Sequence, residues 1–301
     1  MGQRCGYVAI VGRPNVGKST LMNHLIGQKV SITSRRPQTT RNQVLGIDTH
    51  TEGDEQYQVI YVDTPGLHRE EPRAINRMMN RAAQGALGAV DLVLFLVDPF
   101  GWNDDDELAF HRVRQSKLPT VLVINKVDKV KDKQELLPLI EKLSAQTSFS
   151  EIVPVSALQG TNLDELKKII DKALPEQPWV FPEDMVTDRS VRYLAAELVR
   201  EKLMRQMGAE LPYSSTVEIE RFTESEELCD ISATILVERA GQRKMVIGKD
   251  ASRLKKIGTQ AREELERLLG CKVMLRLFVK VKSGWADDVR ALKSLGLDGN
   301  S

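Results

Sequence analysis

A glycine-rich segment near the start of the chain contains residue types that could bind a phosphate chain. It reads Gly12-Arg13-Pro14-Asn15-Val16-Gly17-Lys18-Ser19-Thr20 and follows an apolar run at residues 7–11. The glycines let the backbone curl so that its N–H groups face phosphate oxygens, and a helix beginning here adds a favourable dipole. Lys18 would carry positive charge to the β- and γ-phosphates, and the Ser19 hydroxyl would ligate Mg²⁺. An ordinary strand–helix turn would not require Lys18 and Ser19 at these positions.

A second motif, Asp63-Thr64-Pro65-Gly66, lies about 45 residues after the first. Asp63 follows an apolar run at residues 58–62, and a carboxylate at a strand end can reach the Mg²⁺ shell through water. Gly66 has no side chain, so its amide can approach the γ-phosphate. Asp-x-x-Gly alone is common, but its place after a phosphate-binding loop supports this interpretation.

A polar stretch between these motifs, residues 34–41, is where a phosphate-sensing loop would lie. Thr40 is the predicted second Mg²⁺ ligand, with Thr39 as the alternative. Its hydroxyl would hold the loop closed only while the γ-phosphate is present. The other interpretation of the stretch is a plain connector. The predicted metal set is therefore Ser19, Thr40 and, through water, Asp63. Lys18, Thr40 and Gly66 are the predicted catalytic residues.

The segment Asn125-Lys126-Val127-Asp128 follows an apolar run at residues 120–124. The Asp128 carboxylate can accept hydrogen bonds from N1–H and the exocyclic amine of guanine, a pattern that adenine does not offer. A buried carboxylate without donors is costly, so Asp128 would favour guanine by on the order of 2–5 kcal/mol. Asn125 and Lys126 would brace the loop, and the backbone at Ser156-Ala157 would contact the guanine carbonyl.

Leu67 stands directly after Gly66, where many GTP-hydrolysing proteins place a glutamine that orients the attacking water. A leucine side chain can neither donate to water nor accept from it. We include Leu67 in the nucleotide-binding set and predict slow intrinsic hydrolysis. The backbone, another residue or a partner would then position the water. Arg35, Arg36 and Arg41 lie nearby in sequence, but none can be assigned as a transition-state arginine.

Short apolar runs alternate with helical patterns over residues 7–174. The continuous runs at residues 92–97 and 120–124, with a shorter one at 152–155, are typical of strands buried on both faces of a parallel sheet. Helical patterns lie at residues 19–26, 104–115, 133–143 and 162–174. The alternation predicts an α/β P-loop NTPase domain, doubly wound around a mostly parallel sheet.

Pro175, Pro178 and Pro182 interrupt this alternation. We therefore predict a nucleotide-binding domain over residues 1–175, a linker over 176–189 and a second domain over 190–301. The second half shows a helix at residues 191–207, paired strands at 215–222 and 231–238, and an apolar-to-basic segment at 244–248. A helix at 252–269 and a strand at 272–280 follow. This order predicts a smaller α+β domain.

The formal net charge of +1 conceals an asymmetry. Residues 1–188 contain 22 Lys and Arg against 25 Asp and Glu, net −3, and residues 189–301 contain 21 against 17, net +4. Residues 239–282 alone hold 13 basic and 4 acidic residues, net +9. Such a block favours a polyanionic partner, either nucleic acid or an acidic membrane surface. A solvated charged face would give the same composition.

Three cysteines, Cys5, Cys229 and Cys271, are far apart in sequence and lack metal-ligand spacing. Their odd, sparse count argues against a disulfide framework. The N-terminus lacks the apolar segment of a signal peptide, and no apolar run approaches the roughly 20 residues that span a bilayer. These features predict a cytoplasmic protein.

Taken together, the motifs resemble those of the Era GTPases, bacterial ribosome-assembly factors, over nearly the whole chain. In the first half the resemblance is carried by residues 12–21, 31–34, 38–41, 61–68 and 125–128. In the second half it is carried by residues 201–204, 210–213, 217–222 and 279–286. The last of these, Val-Lys-Val-Lys-Ser-Gly-Trp-Ala, is the most diagnostic, because other GTPases with similar nucleotide-binding domains lack it.

The resemblance implies that the smaller domain is a KH domain of the second topological type. Such a domain clamps single-stranded RNA with a Gly-x-x-Gly loop between two helices. The implied ligands are GTP or GDP with Mg²⁺, and the implied partners are the 3′ end of small-subunit ribosomal RNA and the small ribosomal subunit. The implied role is late maturation of that subunit, gated by GTP. The family is also attributed a peripheral association with the inner membrane, and we expect a monomer.

The Gly-x-x-Gly loop departs from the family pattern. This chain has Gly248-Lys249-Asp250-Ala251, so Ala251 replaces the second glycine and Asp250 adds negative charge beside the phosphate path. A Cβ at Ala251 would crowd the RNA backbone or disfavour a positive φ. We expect RNA binding to be weakened but not abolished. The predicted RNA-binding residues are Lys244, Gly248, Lys249, Arg253, Lys255, Lys256, Lys280 and Lys282.

Three functions remain to be compared. The first is a switch that couples GTP hydrolysis to RNA binding, and the second is a binding module in which the nucleotide is structural. The third is a GTP-regulated switch on a membrane surface, with little RNA binding because of Ala251. Intact nucleotide motifs favour the first function over the second. The loop at Gly248, between an apolar and a helical segment, favours RNA over lipid.

Overall fold

The structure, a computed structural model, describes residues 2–34, 39–65, 74–75, 78–79, 85, 88–207, 214–225, 227–288, 290 and 292. The chain divides into two compact units. Unit 1 comprises residues 1–31, 40–72 and 76–188, and unit 2 comprises residues 32–39, 73–75 and 189–301. Each unit contains a cluster of buried aliphatic and aromatic side chains.

Unit 1 is built on a six-stranded sheet in the order β2-β3-β1-β4-β5-β6. All neighbours are parallel except β2, which runs antiparallel to β3. The strands are β1 (Gly2–Val11), β2 (Val44–Glu52), β3 (Glu55–Asp63), β4 (Leu92–Val97), β5 (Thr120–Ile124) and β6 (Glu151–Pro154). β4 and β5 are buried along their whole length, as continuous apolar runs require. The predicted doubly wound α/β fold is confirmed.

Within the described residues, four α-helices with assigned bounds connect these strands. They are α1 (Lys18–Ile26), α2 (Asp104–Ser116), α3 (Leu137–Ser144) and α4 (Leu163–Ala173). The acidic first turn of α2 suits the helix dipole, and Asn103 and Asp106 close a capping box there. The single helix predicted at residues 133–143 begins instead as a 3₁₀ turn, Lys133–Leu136. The α-helix starts at Leu137 because Pro138, which lacks an N–H, is tolerated only in a first helical turn.

The segment after Pro175 is hydrogen-bonded to unit 1 rather than free. Three contacts attach it to β2, the edge strand of the sheet. Ile47 N donates to Val186 O at 2.9 Å, Leu45 N donates to Asp188 Oδ1 at 3.0 Å, and Thr187 Oγ1 donates to Leu45 O at 2.7 Å. Residues 186–188 therefore continue the hydrogen-bonded edge of the sheet.

Unit 2 contains a three-stranded sheet in the order β7-β8-β9. Its elements are α5 (Val191–Gln206), β7 (Ser215–Glu224), β8 (Leu228–Val237), α6 (Ala240–Ile247), α7 (Ser252–Leu269) and β9 (Lys272–Val281). β7 and β8 are antiparallel, and β8 and β9 are parallel. One face of the sheet packs on the helices through a shared cluster that includes Leu198, Ile235, Ile257 and Leu265. The residue pattern alone did not predict α6, whereas the family resemblance implied a helix on each side of the loop at Gly248.

A buried ionic cluster connects helices α5 and α7 of unit 2. Glu201 is fully buried, and its carboxylate accepts hydrogen bonds from Lys202 Nζ at 2.8 Å, Arg205 Nη2 at 2.9 Å and Thr33 N at 2.9 Å. Lys202 Nζ also pairs with Glu264 on α7. These donors compensate for the burial of charge, which would otherwise be strongly unfavourable.

The structure describes all three cysteines as free thiols. Cys229 and Cys271 are distant in sequence, yet their Sγ atoms lie 2.8 Å apart. Within the described part of the chain, no cluster of His, Cys, Asp and Glu side chains has the makings of a metal site. None of the described helices combines the length and the apolar character that a membrane crossing requires.

Candidate functional site

The predicted phosphate-binding loop connects β1 to α1 in unit 1. Gly17 precedes the helix with φ +113°, in the region that favours glycine. A Cβ at Gly17 would also collide with the amide nitrogen of Asn125. The backbone can therefore pass this close to Asn125 only because position 17 lacks a side chain.

Lys18 is buried at the start of α1, and its ammonium group spans the loop. Nζ donates to Gly12 O and to Arg13 O, each at 2.9 Å. Burial lowers the pKa of Lys18 to about 8, although the Asp63 carboxylate opposes this shift. A cation held among carbonyl groups in this way would be stabilised by the phosphates of a nucleotide.

Ser19, Thr40 and Asp63, the predicted metal set, come together beside the phosphate loop. Ser19 Oγ donates to Asp63 Oδ2 at 2.8 Å, Thr40 Oγ1 donates to the same atom at 3.2 Å, and the two hydroxyls lie 3.0 Å apart. The hydroxyl beside Ser19 and Asp63 is therefore that of Thr40 and not that of Thr39, the alternative second ligand. The Thr39 carbonyl belongs to unit 2, where it accepts from Arg200.

The oxygen atoms at this position fit a divalent cation. Asp63 Oδ1 is buried and has no hydrogen-bond partner among the described residues. Burial raises the pKa of Asp63, while Lys18 and the surrounding hydroxyls lower it. An unsatisfied buried carboxylate oxygen next to two hydroxyls is an oxygen ligand set of the kind that Mg²⁺ prefers. Ser19, Thr40 and Asp63 would hold the ion, which would neutralise phosphate charge.

The predicted guanine loop follows β5 and is braced by the phosphate loop. Asn125 Nδ2 donates to Val16 O at 2.8 Å, and Asn125 Oδ1 accepts from Ala157 N at 2.9 Å. Ser156 Oγ donates to Asp128 Oδ1 at 2.6 Å. The predicted role of Ser156 was a backbone contact, and the structure adds a side-chain contact that orients the carboxylate.

Two residues of this region were missed by the sequence analysis. Ser31 Oγ donates to Asp63 Oδ2 at 2.8 Å. Asp98 accepts hydrogen bonds from cationic side chains in both nucleotide loops. Ser31 stands in a segment that carried the family resemblance, and Asp98 ends an apolar strand as Asp63 does. Position at a strand end was therefore the signal that could have identified Asp98.

The remaining predicted residues divide by location. Pro14, Thr20 and Val127 lie in the two loops or at the start of α1. Thr64 Oγ1 donates to Ile10 O at 3.0 Å, which fixes the end of β3, and Pro65 is buried beside it. The predictions for Gly66 and Leu67 fall outside the described residues. The same is true of Arg35 and Arg36.

The helix–loop–helix of unit 2 groups most of the predicted RNA-binding residues. Gly248 has φ +72°, and Ala251 has φ +57°. The position where the family pattern has a second glycine therefore does adopt left-handed backbone, which an alanine disfavours. Five of the predicted residues are basic side chains on α6, in the loop or on α7, and all five are exposed. They are Lys244, Lys249, Arg253, Lys255 and Lys256.

Lys280 and Lys282 lie apart from that loop in the chain. Lys280 is on the face of β9 opposite the one that packs on the helices, because neighbouring strand residues point to opposite faces. There its Nζ pairs with Glu220 Oε1 at 2.7 Å. Lys282 follows β9 and is exposed. Trp285 is buried, and its indole N–H donates to Ser214 O at 3.3 Å.

Two family models match the chain. The model described as "50S ribosome-binding GTPase" covers residues 7–126, and the model described as "KH domain" covers residues 210–286. The GTPase Era of Histophilus somni strain 129Pt is 59% identical over 97% of this chain and 96% of its own length. The GTPase Era of Marinobacter nauticus is 57% identical over 98% of this chain and 95% of its own length.

Two solved structures share the whole fold. One is a variant of Aquifex aeolicus Era bound to GDP and AlF4⁻, and the other is Era in complex with MgGDPNP and nucleotides 1506–1542 of 16S ribosomal RNA. Each is 42% identical, has a TM-score of 0.93, and aligns over 98% of this chain and 99% of its own. Since the likeness extends through both the nucleotide-binding unit and the KH unit, this chain belongs to the Era family of GTPases.

Proposed function

We propose that this chain binds GTP with Mg²⁺, hydrolyses it slowly, and uses the nucleotide state to gate binding of RNA. The RNA is the 3′ end of small-subunit ribosomal RNA, and the process is maturation of the small ribosomal subunit. The observation that carries the proposal is the convergence of Ser19, Thr40 and Asp63 beside the buried Lys18. A module that used its nucleotide only as structural support would not need a γ-phosphate-sensing threonine in a metal set.

The principal residues of the nucleotide site bind the metal ion, the phosphates or the base. Ser19 and Thr40 would hold Mg²⁺, with Asp63 contributing through water. Lys18 and the Gly66 amide stabilise the γ-phosphate, and Asp128 selects guanine. Because Leu67 cannot position water, hydrolysis is slow until another group supplies that function.

The proposal that this chain binds RNA is supported by the loop at Gly248 and by the relatives of this protein. The exposed basic side chains around that loop suit a phosphate backbone. The solved Era complex with MgGDPNP and nucleotides 1506–1542 of 16S ribosomal RNA supports the same ligand for this chain. Lys280 is held by Glu220, so we give it a smaller part than Lys249 and Arg253.

The membrane-surface alternative receives no support from the comparisons. Residues 210–286 of this chain match a KH-domain model, and the solved Era complex of the same fold contains ribosomal RNA. Maturation of ribosomal subunits places the proposed activity in the cytoplasm. Peripheral contact with the inner membrane remains an implication of the family resemblance alone.

Crosslinking of the full chain to a 16S 3′-end RNA tests the proposal. The measurement is made with GDP, with a non-hydrolysable GTP analogue and without nucleotide. We expect stronger crosslinking to unit 2 with the GTP analogue than with GDP. Equal crosslinking in all three conditions would contradict the gating, and no crosslinking in any of them would contradict the RNA ligand.

A further inference from the structure

Asp98 is a buried carboxylate directly after β4, and none of the predicted roles used it. Its side chain is 3% exposed. Oδ1 accepts from Arg13 Nη2 at 2.7 Å and from Phe100 N at 3.1 Å, and Oδ2 accepts from Lys126 Nζ at 2.8 Å. Both carboxylate oxygens are therefore engaged by cationic side chains.

The two cations come from the two nucleotide loops. Arg13 lies in the phosphate loop after β1, and Lys126 lies in the guanine loop after β5. Since the sheet order is β1-β4-β5 in this region, Asp98 ends the strand between the two loops. Lys126 Nζ also donates to Asn15 O at 2.8 Å. The Asp98 carboxylate and the Asn15 carbonyl thus share one ammonium group.

The charges at this junction are arranged to keep Asp98 ionised. Burial disfavours the carboxylate, but the hydrogen bonds from Lys126 and Arg13 outweigh it and hold the pKa of Asp98 below its ordinary value. Arg13 also approaches Asp106 on α2, at 3.4 Å. A charge with this many matched donors fixes their geometry more tightly than a neutral group would.

We propose that Asp98 is a positioning residue that holds the phosphate loop and the guanine loop in register for the nucleotide. It would raise affinity for the guanine base and the phosphates together, without touching either. The inference rests on the nucleotide site of the proposed function. It predicts that losing the Asp98 charge weakens GDP and GTP alike, because both share the base and the first two phosphates.

The test is Asp98→Asn in the full chain, which keeps the shape of the side chain and removes its charge. We expect the Kd for GDP and for GTP to rise on the order of tenfold, as for a lost hydrogen bond to a charged group. The rate of single-turnover hydrolysis at saturating GTP should change less than threefold, giving a binding effect without a matching rate effect. The preference for GDP over IDP, which lacks the exocyclic amine, should also fall.

Asp48→Asn is the matched control. Asp48 is another ion-paired carboxylate of unit 1, and it accepts from Lys167 Nζ at 3.0 Å. Its replacement should leave the Kd for GDP unchanged. The thermal unfolding midpoint of each variant separates loss of fold from loss of binding.

A double-mutant cycle with Arg13→Gln tests the link between the loops and provides a second variant should Asp98→Asn fold poorly. Arg13→Gln alone should also weaken GDP and GTP alike. The combined variant should lose less affinity than the product of the two single losses, since both substitutions remove the Arg13–Asp98 ion pair. A folded Asp98→Asn with the wild-type Kd, or independent losses in the cycle, would overturn the inference. Failure of the wild-type chain to bind guanine nucleotides would instead refute the proposed function.

Discussion

The Ser31 hydroxyl donates a 2.8 Å hydrogen bond to Asp63 Oδ2, the carboxylate oxygen that Ser19 and Thr40 also approach. Three hydroxyls therefore converge on one oxygen, while Oδ1 is buried without a partner among the described residues. With Ser19 and Thr40 holding a metal ion, Ser31 would remain the hydroxyl donor to Asp63. The contact would fix the direction in which the carboxylate presents Oδ1.

Replacing Ser31 by alanine should therefore raise the Mg²⁺ requirement. A net hydrogen bond of about 1 kcal/mol corresponds to roughly a fivefold increase in the Mg²⁺ concentration for half-maximal GTP hydrolysis. Titration of the rate with Mg²⁺ measures it. Ser144→Ala, at an exposed site on α3, serves as the control and should leave the titration unchanged. An unaltered midpoint in Ser31→Ala would show that Ser31 does not orient Asp63.

The lowered pKa of Lys18 predicts that nucleotide binding takes up a proton in mildly alkaline solution. Without nucleotide its pKa is about 8, because the ammonium group is buried. Phosphate charge would raise that pKa, so binding at pH 9 should be coupled to proton uptake and binding at pH 7.5 should be coupled to less. The affinity for GDP should accordingly fall as the pH rises through 8. Calorimetry of GDP binding in buffers of different ionisation enthalpy measures the uptake, and its absence at pH 9 would contradict the prediction.

Ala251→Gly should stabilise unit 2 and strengthen RNA binding. Left-handed backbone costs an alanine about 1–2 kcal/mol, and the greater freedom of glycine in the unfolded chain offsets about 0.4–1 kcal/mol of that. The expected net gain is roughly 0.5–1 kcal/mol in the free energy of unfolding, measured by urea denaturation. Ala196→Gly, within helix α5, should have the opposite sign. A loss of stability in Ala251→Gly would show that the alanine is not strained.

The stabilisation that His50 gives to unit 1 should be lost in alkaline solution. Its Nε2 lies 3.1 Å from Asp171 Oδ2 and its Nδ1 lies 3.5 Å from Asp48 Oδ2. Hydrogen bonds to Asp171 and then Asp48 raise the pKa of His50 from its ordinary 6.5 to about 9. A raised folded-state pKa means that the stabilisation is complete below pH 6.5 and is lost as the pH rises through 9.

Protonated His50 should stabilise unit 1 by on the order of 1–2 kcal/mol, since the imidazole is partly exposed and its charge is screened. The free energy of unfolding, followed from pH 6 to pH 10 in the wild type and in His50→Gln, provides the test. The difference between the two proteins should shrink across that range. A constant difference would assign the effect of His50 to its stacking on Tyr57 rather than to its charge.

Much of unit 1 was predictable because its signals are local. The runs that became β4 and β5 are apolar at every position, as burial on both faces requires. β2 was missed because its sequence is half polar, with only some positions buried, and pairing with β3 rather than composition makes it a strand. α6 was missed for a similar reason. Its only fully buried residue is Val246, so it shows little amphipathic pattern.

The nucleotide site was predictable where its residues lie close together in short sequence motifs. Lys18, Ser19 and Asp128 belong to motifs of fixed spacing. Ser31 and Asp98 act through partners 32 and 85 residues away, and only the folded sheet brings those partners together. Ala251 was recognised as a departure from a pattern, and its φ of +57° gave the departure its physical meaning.

The hydrogen bonds between β2 and residues 186–188 determine where the chain can be truncated to give a stable fragment of unit 1. β2 is an edge strand, and an unpaired edge offers its backbone to other chains. In the intact protein the segment on the way to unit 2 occupies part of that edge, through Val186, Thr187 and Asp188. A fragment ending at Pro175 would uncover it and would be prone to strand-to-strand aggregation, whereas one ending at Asp188 would keep its own cover. Residues 186–188 would thus also protect the β2 edge from pairing with other chains.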